Sequence, residues 1–81
     1  MLISEIEVLA TGVFKITLND GTWFKISFRL PYHEYSKVCC VDIKHPSEKF
    51  VQFYDFKHSG STISAISEVI KHIEERRGYG M

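Results

Sequence analysis

Two glycine-ended triplets, Ala10-Thr11-Gly12 and Asn19-Asp20-Gly21, separate stretches that alternate apolar and polar residues. Ile6 and Val8 alternate with Glu5 and Glu7; Phe14, Ile16 and Leu18 alternate with Lys15 and Thr17; Phe24, Ile26 and Phe28 alternate with Trp23, Lys25 and Ser27. A period of two over such lengths means strands with one face toward a core. Loop length then sets the register. A two-residue Asp20-Gly21 turn would place Ile16 across from Lys25 and mix the faces. A three-residue loop ending in Gly21 places Phe14 across from Ile26, Ile16 across from Phe24 and Leu18 across from Thr22. That loop is a type I turn followed by a left-handed bulge residue, where glycine supplies the positive φ. The same loop at Gly12 sets Val8 against Phe14, Ile6 against Ile16, Glu7 against Lys15 and Glu5 against Thr17. The outcome is a three-stranded meander with one greasy face.

Pro31-Tyr32-His33-Glu34-Tyr35-Ser36 reads as a loop, followed by strands over Lys37–Ile43 and Lys49–Phe56 around a His45-Pro46-Ser47-Glu48 turn. With those four residues as the loop, Ile43 opposes Phe50, Val41 opposes Gln52 and Cys39 opposes Tyr54. Beyond Gly60 the period changes. Ile63, Ile66, Ile70 and Ile73, with Ala65 and Val69, form one stripe at helical spacing over about Thr62–Arg77. Ser61 or Thr62 caps its start, and Gly78 lies past its end. The expected fold is α+β in two layers: a five-stranded antiparallel sheet built from successive hairpins, with one C-terminal helix across the greasy face. At 81 residues, with no repeat or linker, residues 1–81 read as a single small domain.

Composition narrows function by exclusion. Lys and Arg total 10, Asp and Glu total 10, and the two signs are interspersed throughout. No basic tail steers the chain toward nucleic acid or anionic lipid. No apolar run approaches the roughly 18 residues of a membrane span. Met1–Glu5 lacks the basic and apolar regions of a signal peptide. Adjacent Cys39 and Cys40 point to opposite faces of a strand, which suits unpaired thiols in a reducing compartment; the expected address is cytoplasmic. Four histidines in four separate segments give no close ligand pair for zinc, so neither a metal nor another cofactor is expected. No nucleophile elbow, phosphate loop or carboxylate pair is present, and the expectation is a non-enzyme without a small-molecule substrate.

The face opposite the core carries the candidate binding residues. Trp23 falls there, flanked by Lys15, Lys25 and Arg29, with Tyr32 and Tyr35 in the following loop as an extension. A tryptophan on a strand's solvent side is a binding anchor or a cross-strand cover packed on lysine stems. Two functions follow. One is a protein-protein interaction module, a regulator or inhibitor with a protein partner or a second copy; a short chain opening on Met1 fits a stand-alone regulator of the kind phages and mobile elements carry. The alternative is nucleic-acid binding. Residues 37–78, a hairpin followed by Ser61-Thr62-x-x-Ala65 and an arginine-bearing helix end, resemble the AP2-like DNA-binding domains of phage integrases over about half the chain. That resemblance implies nucleic-acid binding through the outer, Trp23-bearing face of the sheet. The sequence departs from it in lacking a basic excess, and in carrying Val38, Cys39 and Cys40 where arginine or tryptophan is expected.

Overall fold

The computed structural model describes residues 2–29 and 37–76. Strands β1 (Ile3–Ala10), β2 (Val13–Leu18), β3 (Trp23–Arg29), β4 (Lys37–Lys44) and β5 (Gln52–His58) form one sheet in the order β1-β2-β3-β4-β5. Every neighbouring pair is antiparallel. The helix α1 (Thr62–Arg76) follows. This is the expected five-stranded α+β arrangement.

The glycine turns set the first three strands. Gly12 and Gly21 have φ of 72° and 90°. Leu18 N–H donates to Thr22 O at 2.7 Å, and Gly21 N–H to Leu18 O at 3.0 Å. The pairings expected within the strands are present, including Ile6 with Ile16 and Phe14 with Ile26, and Leu18 meets Thr22 through the turn hydrogen bond. The β4–β5 hairpin differs from expectation. Ile43 pairs with Gln52, Val41 with Tyr54 and Cys39 with Phe56, a two-residue slip toward a longer loop. Its turn is held by Glu48 N–H donating to His45 O at 3.0 Å, and Gln52 Nε2 donates to Glu48 Oε2 at 2.9 Å. Phe50, expected opposite Ile43, is 79% exposed. A slip of two preserves which residues face the core, so face patterning alone does not exclude it.

Ile16, Leu18, Phe24, Ile26, Cys39, Val41 and Ile43 form the core with Ala65, Ile66, Val69 and Ile73 of α1. Ser61 caps the helix: its Oγ accepts the Ser64 N–H at 3.1 Å, and its carbonyl accepts the Ala65 N–H at 3.0 Å. Contacts to the sheet orient α1 antiparallel to β5. His58 Nε2 and Ser64 Oγ lie 2.7 Å apart, and the His72 ring stacks on Tyr54 with centroids 4.2 Å apart. Ile63, expected in the buried stripe, is 78% exposed. It lies one turn ahead of Ile66 but is rotated away from the face that Ala65 and Val69 define. Arg77 and Gly78 lie outside the described residues.

The helix does not reach β1. All eight residues of that strand are exposed, Ile6 to 55% and Val8 to 70%, although both lie on the greasy face. Geometry accounts for this. A helix with its side chains is about 10–12 Å across, whereas five strands spaced about 4.8 Å apart span about 19 Å. Full burial extends as far as Ile16 and Leu18 of β2 and leaves the edge strand beyond them bare.

Candidate binding surface

Two surfaces stand out: the outer face of the sheet and the free edge at β1. On the outer face, strand pairing aligns Glu7, Lys15, Lys25, Asp42 and Phe53 in one row, and Glu5, Thr17, Trp23 and Lys44 in the next. Three of the expected site residues, Trp23, Lys15 and Lys25, are therefore near neighbours, and Arg29 lies on the same face at the far end of β3. Tyr32 and Tyr35 lie outside the described residues.

The cations of this face are engaged locally. Lys15 Nζ lies 5.1 Å from the Trp23 ring centroid, and Trp23 is half-buried. Lys25 Nζ is 3.4 Å from Asp42 Oδ2. Glu5, Glu7, Asp42 and Asp55 interrupt the lysines, so the face carries both signs. Cys40 also sits here. Burial pushes its thiol pKa up, a hydrogen bond to Asp55 and the charge of Asp55 add to the rise, Arg29 opposes it and Asp42 reinforces it. An activated thiolate needs the opposite environment.

The three described histidines are tied into local structure. His45 Nδ1 accepts the Ser47 N–H at 3.1 Å, His58 meets Ser64, and His72 stacks on Tyr54. Among the described residues no group of three or more His, Cys, Asp or Glu side chains could hold a metal ion. No described helix is long and apolar enough to cross a membrane. Hollows beside α1 are small: about 300 Å³ between Ile43, Glu48, Ile73 and Arg76, and about 180 Å³ between Tyr54, Phe56, Glu68 and His72.

The β1 edge is the surface that sequence reasoning missed. Leu2 (71%), Ile3 (41%), Ile6 (55%), Val8 (70%) and Leu9 (49%) are all large, apolar and exposed within one short segment. The register shifts between Ile3 and Glu5 and between Val8 and Ala10, so bulges bracket a regular window at Glu5–Val8. Ser4 sits in the first bulge, its hydroxyl donating to Thr17 O at 3.1 Å. A signal for this edge was present in the sequence: Leu2 and Leu9 are apolar residues outside the alternation. No protein-family model matches the chain, and comparisons with curated proteins and with solved structures found no significant match.

Proposed function

We propose that this chain is a non-enzymatic binding module whose partner is a protein, and that the partner engages the β1 side of the sheet. The observation that carries this reading is the run of exposed apolar side chains from Leu2 to Leu9 on a strand covered by no other element among the described residues. Contiguous apolar surface on an edge strand is costly to leave in water and is a recurrent site of chain–chain association. Mixed charge on the outer face argues against a phosphate backbone as the partner, because phosphate contacts draw their affinity from unopposed cations.

Photo-cross-linking in cells tests the proposal. A photoreactive side chain placed at position 8 is expected to capture a discrete protein, which mass spectrometry identifies, while the same group at position 53 captures none. Capture of nucleic acid from position 53, with heparin retention that falls steeply as salt rises, would replace this reading with nucleic-acid binding.

A further inference from the structure

We infer that the β1 edge takes an extended peptide segment that alternates apolar and basic residues, added to the sheet as a sixth strand. The inference rests on the protein-binding reading above and specifies the mode and the chemistry of the partner.

The backbone is presented for it. Hydrogen bonds Leu18 N–H to Thr22 O and Phe28 N–H to Gly12 O fix the β2–β3 ladder. By antiparallel alternation, Lys15 and Thr17 then turn their backbone groups toward β1, where they meet Glu7 and Glu5. Ile6 and Val8 consequently aim their N–H and C=O groups at the free edge. These are the groups that strand addition uses, with side-chain pockets on alternate residues giving specificity.

The side chains set the chemistry. Ile6 and Val8 offer apolar contact on the helix side, while Glu5 and Glu7 stand exposed on the outer side. Residues facing Glu5 and Glu7 would occupy non-hydrogen-bonded positions, where Cα atoms lie about 4.5 Å apart and side chains are closest. A second copy of β1 fits poorly there. Within the Glu5–Val8 window, pairing Ile6 with Ile6 puts Glu5 across from Glu7. Pairing Ile6 with Val8 puts Glu7 across from Glu7, and the intermediate register sets Ile6 against Glu7. Like charges directly opposite oppose pairing, and lysine or arginine at those positions favours it. The sheet already uses this pairing on the same face, where Glu7 lies opposite Lys15 and Lys25 reaches Asp42 at 3.4 Å.

The probes are synthetic nine-residue peptides: one alternating lysine with valine, its glutamate–valine counterpart, and a lysine–valine copy with N-methylated backbone amides. Binding to the full chain at low salt is followed by backbone amide chemical shifts. The lysine–valine peptide is expected to bind at least tenfold tighter than either other peptide, with shifts centred on residues 3–10. Glu5→Lys/Glu7→Lys, two exposed changes that leave the core intact, is expected to reverse the preference toward the glutamate–valine peptide. Equal binding of the two charge types, indifference to N-methylation, or shifts centred on Trp23 and Phe53 would each overturn the inference. Sedimentation showing β1-dependent dimers of the chain would overturn it also. Should position 8 cross-link a protein in cells while these peptides fail, strand addition is wrong and the protein-binding reading stands. Should position 8 capture no protein, that reading itself falls.

Discussion

Replacing Gly21 by alanine should cost much more than replacing Gly12, although both residues lie at equivalent points of their loops. At each, the left-handed backbone costs an L-residue about 1–2 kcal/mol, partly offset by a stiffer unfolded chain. At Gly12, an added Cβ would meet nothing closer than Phe28 O at 3.8 Å, so Gly12→Ala should cost only about 1 kcal/mol. At Gly21, the same atom would come within 2.9 Å of Pro46 Cγ. The β2–β3 turn is seated against the β4–β5 loop there, with His45 Nε2 3.8 Å from Asp20 Oδ2. Relieving that overlap requires one loop to shift, at about 1–3 kcal/mol, so Gly21→Ala should total about 2–4 kcal/mol. Thermal unfolding should separate the variants clearly, since 1 kcal/mol moves the midpoint of a domain this size by about 4–8 °C. A double-mutant cycle with Pro46→Ala should return a coupling of about 1 kcal/mol or more. Equal losses for the two glycines, or no coupling to Pro46, would refute the packing of one turn on the other.

Ile73→Ala should cost about 2–5 kcal/mol in denaturant unfolding, because the side chain is 2% exposed, whereas Ile63→Ala should change stability by less than about 0.5 kcal/mol. Thr22→Val should raise stability by about 1 kcal/mol: Thr22 is fully buried, and its Oγ1 finds no hydrogen-bond partner among the described residues. Tyr54 should ionise late. Burial above all, then the charges of Cys39 and Glu68, push its pKa from 10.0 to about 12. Since the folded state holds this proton more tightly, the stabilisation is complete below about pH 10 and is lost as pH rises toward 12. Ultraviolet titration should show a late tyrosine step that Tyr54→Phe removes.

The first two hairpins were legible because glycine at a left-handed position fixes loop length, and loop length fixes register. The β4–β5 hairpin had no such marker. Pro46 signals a turn without setting its length, and Phe50 and Phe56 offered equally good apolar partners across the ladder. The slip to Gln52 opposite Ile43 places Phe56 across from Cys39, and Tyr54 stacks beneath His72. That choice depends on the helix, which lies far along the chain. Ile6 and Val8 show a related limit. Alternation says which face of a sheet is apolar, but only the width of the covering element says how many strands it shelters. Trp23 was placed on its correct face by register, while its contact with Lys15 depends on side-chain conformations that spacing does not encode.

The nearest-neighbour order of the strands has a kinetic consequence. Each strand bonds only to the ones beside it in the chain, so no ladder requires closing a long loop. A topology of this kind has low contact order and assembles quickly, hairpin by hairpin. It also grades local stability across the sheet. β1 is bonded to β2 alone and supports nothing above it, so it can detach while β2 to β5 keep their pairing and the helix keeps its seat. The edge strand that offers the apolar surface is thus the one whose release disturbs the remaining fold least.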